Sequence, residues 1–160
     1  MKIRVLMAVA VLLACAGPAW CVVDATSAFT ALKGLAGQWE GTVEGQPQVI
    51  TWKLVSGGSA MMEEMDHESM VSMYHMDDNR LIMTHYCSAQ NQPRMAADVS
   101  ADGKTITFSF IDGTNLSKPH DAHMQKMVLT IQDENHMSEK WTFVQGGKEK
   151  TEVFELTRRK

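Results

Sequence analysis

The stretch Lys126-Met127-Val128-Leu129-Thr130-Ile131 is followed, after the polar connection 132–136, by Met137-Ser138-Glu139-Lys140-Trp141-Thr142-Phe143. In the first half Met127, Leu129 and Ile131 alternate with Lys126, Val128 and Thr130. In the second, Met137, Trp141 and Phe143 alternate with Ser138, Lys140 and Thr142. A period of two sends successive side chains to opposite faces of a strand, so each half predicts a strand with one apolar face. The connection is too short to hold a helix, which makes the pair a hairpin. Glu139 falls on the apolar face, and that anomaly points toward a site.

The same pattern extends toward the N-terminus. Trp39 and Val43 oppose Gln38, Glu40, Thr42 and Glu44; Ile50, Trp52 and Leu54 oppose Thr51 and Lys53. Ile106, Phe108 and Phe110 alternate with Thr105, Thr107 and Ser109. Weaker strands are expected over 59–67, 69–76, 80–88, 94–100 and 149–157. Gly57-Gly58, Asp77-Asp78-Asn79, Asp102-Gly103, Asp112-Gly113 and Gly146-Gly147 are expected as turns between them. The only helix expected runs from Asp24 to Leu35, capped by Thr26 or Ser27, with Ala28, Phe29, Leu32 and Leu35 at helical spacing. About ten short strands without intervening helices predict an all-β fold, an up-and-down antiparallel barrel with a short N-terminal helix.

Residues 1–21 differ in kind. Lys2 and Arg4 precede the apolar run Val5 to Ala16, then Pro18 and the small-residue site Ala19-Trp20-Cys21. That order predicts a secretory signal peptide cleaved after Cys21, and hence export to the periplasm or beyond. Lipidation at Cys15 is the alternative. The division expected is 1–21 signal, 22–36 helix and lead-in, and 37–160 barrel. Cleavage would leave Cys87 as the lone cysteine, so no intrachain disulfide is expected. It would also remove two of the fifteen Lys and Arg, leaving thirteen against nineteen acidic residues and a net charge of −6. No basic stripe is present to neutralise nucleic-acid phosphates, so nucleic acid is not an expected partner. No other apolar run reaches membrane-spanning length.

Gly37-Gln38-Trp39-Glu40-Gly41, followed by Gly45-Gln46-Pro47-Gln48-Val49-Ile50, resembles the opening of nitrobindin-like and other calycin barrels. The block from Tyr74-His75 through His85-Tyr86-Cys87 to Asn91-Gln92-Pro93-Arg94-Met95 resembles a group of exported bacterial barrel proteins of unassigned function. The resemblance implies a barrel across nearly the whole mature chain. Through nitrobindin it also implies haem as an alternative ligand, held by a histidine late in the chain. His136 is the one histidine after residue 123, and its neighbours depart from that pattern.

Parity places polar groups on otherwise apolar faces. Glu63 lies with Met61 and Met65, His85 and Cys87 with Leu81 and Met83, and Glu139 with Met137 and Trp141. A carboxyl group inside a barrel is costly unless paired, hydrogen-bonded or met by a ligand, whereas a register slip of one residue would turn it outward. The connection Ser88 to Arg94 brings Asn91, Gln92 and Arg94 together, with Arg94 able to make a bidentate contact to a carboxylate or phosphate, or to pair with Asp98 or an internal Glu. Six methionines between 61 and 76, with His67 and His75, suggest copper in an exported protein. They fall on both strand faces, which fits core packing equally well. His85 and Cys87 are also the residues an enzyme would use, although no oxyanion site accompanies them.

The expected function is binding of a small, partly apolar molecule, with Trp39, Trp52, Phe108, Phe110, Trp141 and methionines as walls. Glu63, Tyr74, His85, Tyr86, Arg94, Glu139 and Trp141 are the candidate ligand contacts. A copper- or haem-binding protein, with His67 and His75 as the copper candidates, and a hydrolase or isomerase are the alternatives.

Overall fold

The computed structural model describes residues 24–160, apart from 44, 67, 68, 119 and 120. The signal segment expected over 1–21 therefore lies outside the described residues. Helix α1 (Ala25–Lys33) leads into ten strands: β1 (Gly37–Val43), β2 (Gln46–Val55), β3 (Ala60–Met65), β4 (Met70–Asp77), β5 (Arg80–Tyr86), β6 (Gln92–Val99), β7 (Thr105–Thr114), β8 (His123–Ile131), β9 (His136–Gln145) and β10 (Lys148–Arg158). Each strand pairs antiparallel with its neighbour in sequence, and β10 pairs with β1 to close the barrel. Closure leaves no unpaired sheet edge.

The strands turn their apolar parity inward. Trp39, Ile50, Trp52, Met61, Tyr74, Leu81, Met83, Met95, Ile106, Phe108, Met127, Leu129 and Met137 are all fully buried. Leu54, expected on the inner face, is instead 47% exposed, because β2 there runs out toward the 3-10 turn Ser56–Gly58.

Helix α1 stoppers one end of the barrel. Ala28, Phe29 and Leu32 are buried against the core, as their spacing predicts. The cap is Asp24, not Thr26 or Ser27: its backbone is extended and its Oδ1 accepts from the Ser27 N–H at 2.8 Å. A carboxylate at the N-cap also suits the helix dipole. At the other helix end Arg158 donates to the carbonyls of Ala36 and Gly34 at 2.9 and 2.8 Å, tying β10 to the chain that leaves α1.

Two departures from simple alternation shape the opposite end. Asp112-Gly113 is not a turn but lies within β7. Arg94 and Asp112 face each other across β6 and β7, with Ile111 as the extra, bulged residue. Glycine is required at 113 for close approach: a Cβ there would come within 2.8 Å of Leu116 Cδ1 and 3.1 Å of Pro93 Cα. In β8 the register shifts between Met124 and Lys126, so Gln125 bulges and Met124 turns inward opposite Phe143.

Candidate functional site

Three of the interior polar groups come from adjacent strands at one level, and a fourth faces them from across the barrel. Glu63 on β3 is opposite Ser72 on β4, and Ser72 is opposite His85 on β5. Glu139 projects inward from β9. Glu63, Ser72, His85 and Glu139 are all buried, as are Tyr74 and Trp141.

These groups are hydrogen-bonded to one another. Tyr74 donates its phenol proton to Glu63 Oε2, and Trp141 Nε1 donates to Glu139 Oε2 at 3.1 Å. Ser72 Oγ lies 3.0 Å from His85 Nδ1. The His85 ring packs against Trp141 with ring centroids 4.8 Å apart. The second oxygens, Glu63 Oε1 and Glu139 Oε1, have no N–H or O–H donor among the described residues. The two carboxyls lie close enough to influence each other's ionisation, which disfavours both being charged at once. Burial of two acids side by side favours their neutral forms, which lowers the cost of keeping them inside.

Burial raises the pKa of Glu63, against the opposing pull of the Tyr74 hydrogen bond. Burial and then the Glu63 charge raise that of Glu139 well above its ordinary value. Burial likewise lifts Tyr74 well above its ordinary value. His85 is pushed down to about 4 by burial and is neutral at physiological pH.

These shifts have opposite consequences for stability. The acids bind protons more tightly when folded, so their contribution is complete below the unfolded value near 4.5 and is lost as pH rises through the folded values. His85 binds its proton less tightly when folded, so its contribution is complete above 6.5 and is lost as pH falls toward about 4. Above pH 6.5 the acid pair therefore dominates the slope, which approaches about 1.4 kcal/mol per pH unit for each proton released. In urea titrations between pH 6.5 and 9, the unfolding midpoint of the wild type is expected to fall. That of Glu139→Gln, which has one titrating acid fewer inside the barrel, should fall less. Equal declines would show that the pair does not set the slope.

The centre of the barrel is filled. Trp52 stacks on Tyr74 at 5.0 Å and Phe108 meets Tyr74 edge-on at 5.4 Å, while Trp39 and Phe108 are fully buried. These aromatics, expected as ligand walls, are core. The cavity lies instead at the end opposite α1, measures about 540 Å³, and has Trp141 as its floor. Met70, Met124 and Phe143 supply further apolar lining. Cys87 stands at its wall, and His85 lies deeper on the same side of β5, beneath Trp141. Of the expected contacts, Trp141 alone reaches the cavity; Glu63, Tyr74, His85 and Glu139 form the layer behind it.

Tyr86 and Arg94 are not interior groups. Tyr86 has the outward parity of β5 and is half exposed, because Leu81, Met83 and His85 occupy the inner face. Arg94 has the outward parity of β6, and its Nε donates to Asp112 Oδ1 at 2.6 Å, so its partner is Asp112 and not Asp98. His75 is exposed on the outer face of β4, while His67 lies outside the described residues. His136 is exposed at the α1 end, with Nδ1 2.9 Å from Asp133. The methionines of β3 and β4 divide between faces, with Met61, Met65 and Met70 buried and Met62 and Met73 on the outer side.

Lys148, Lys150 and Glu152 also line the cavity and were missed in the sequence. They share parity with the buried Phe154 and Leu156, and that alternation was the available signal. No family model and no curated protein sequence matches the chain. No helix among the described residues is long and apolar enough to cross a membrane.

Proposed function

We propose that this protein, exported through the leader read in residues 1–21, reversibly binds a small, partly apolar molecule at the open end of its barrel. The observation that carries the reading is the cavity itself: about 540 Å³, floored by Trp141 and walled by Met70, Met124 and Phe143 from three strands. That volume is in the range of small-molecule sites, and an apolar floor with a few polar groups at the rim is their usual chemistry. Methionine adapts to ligands of varied shape. The hydrogen-bonded layer behind Trp141 supports the reading by fixing the floor, since the indole N–H is held by Glu139 and its ring by His85.

The test is native mass spectrometry of protein purified gently from its own host, beside an Ala89→Trp variant. Ala89 is exposed and borders the cavity, so an indole there fills the mouth without entering the core. A retained small molecule is expected on the wild type and not on the variant, with equal melting temperatures after the ligand is removed. An empty wild-type chain, or equal retention by both, would overturn the proposal.

A further inference from the structure

We infer that the molecule taken by this cavity is an amphipathic monoanion, its flat apolar body on Trp141 and Phe143 and its anionic group at Lys148. The inference rests on binding at the open end as proposed above and adds the chemical class. Strand β10 turns Phe154 and Leu156 into the core, so Glu152, Lys150 and Lys148 continue the same inward-facing row toward the mouth. Cross-strand pairing sets Glu152 opposite Trp141, Lys150 opposite Phe143 and Lys148 opposite Gln145. The row thus rises from an apolar floor to a cationic rim.

The charges along this row do not cancel. Lys150 Nζ pairs with Glu152 at 2.6 Å. Lys148 has no ion-pair partner among the described residues. Glu149 borders the cavity too, but alternation sends its side chain toward the outer side of β10. Among the described residues the inward row of β10 therefore carries one positive charge beyond its ion pair, at the exposed rim. Gly146 and Gly147, at φ 59° and 76°, make the tight reversal that sets Lys148 across from Gln145. An apolar cation would meet Lys148 directly, and a dianion would find one open partner for two charges. A monoanion whose apolar part reaches the floor matches both ends of the row.

Two fluorescent molecules separate charge from shape. Anilinonaphthalene sulfonate and phenylnaphthylamine share one aromatic body, and only the first carries an anion. Titrated into the protein, both are expected to bind, and Ala89→Trp should weaken both. Lys148→Gln should weaken the sulfonate by about two- to fivefold, the range of an exposed ion pair, and leave the neutral compound unchanged. Added salt should likewise weaken the sulfonate alone. If Lys148→Gln leaves the sulfonate unchanged, or weakens both equally, the anionic assignment is wrong while binding at the open end stands. If neither compound binds, or Ala89→Trp affects neither, the cavity reading fails with it.

Discussion

Alanine at position 63 is expected to destabilise the barrel by about 3–5 kcal/mol, the range for removing one partner of a buried charged or hydrogen-bonded pair. Three losses coincide. The Tyr74 phenol, inside the barrel and stacked on Trp52, loses its acceptor. Glu139 loses the neighbouring carboxyl that it interacts with inside the barrel. The missing side-chain volume leaves a void beside Trp52, which is opposite Glu63 on β2. Glutamine at the same position keeps an acceptor for Tyr74 and nearly the same shape, so Glu63→Gln should lose only about 1 kcal/mol, a typical net hydrogen bond. Urea unfolding followed by tryptophan fluorescence measures both. Equal losses in the two variants would mean that volume, not the hydrogen-bonded network, carries the stability at this site.

Trp39→Ala should cost a similar amount, about 3–5 kcal/mol, but at the opposite end of the barrel and with a different signature. Trp39 is fully buried, and its Nε1 donates to the Leu35 carbonyl at 2.8 Å. The Arg158 guanidinium covers its ring at 4.3 Å while donating to the carbonyls of Gly34, Ala36 and Glu134. This one side chain therefore joins the end of α1, β1 and β10. Its removal should loosen the helix ahead of the barrel, read as faster amide hydrogen exchange at Phe29 and Leu32 than at Ile106 or Leu129. If the helix amides keep their protection while global stability falls, α1 is held by its own apolar face and not through Trp39.

Much of the inner layer was legible because strand periodicity is rigid. Once Met61 and Met65, Leu81 and Met83, or Met137 and Trp141 face inward, Glu63, His85 and Glu139 have no other direction available. The sequence could not say what these groups meet. The contacts that join Glu63 to Tyr74 and Glu63 to Glu139 depend on which strands are neighbours or face across the interior. Residues 63 and 139 are brought together only by closure of the sheet. Tyr86 is a candidate contact from a strand apolar on both faces and Arg94 one from the connection 88–94, and the register turns both outward.

What this amino-acid sequence determined alone is the set of local periods: one amphipathic helix, about ten alternating strands, and the turns that join most of them. Tertiary structure decided where space remains. Trp52, Tyr74 and Phe108 meet in the middle and fill it, while the bulge at Gln125 rotates Met124 inward and the row Lys148, Lys150, Glu152 ends at a mouth opposite the helix. A cavity is what packing from several strands leaves unfilled, a sum over distant residues that no local pattern contains.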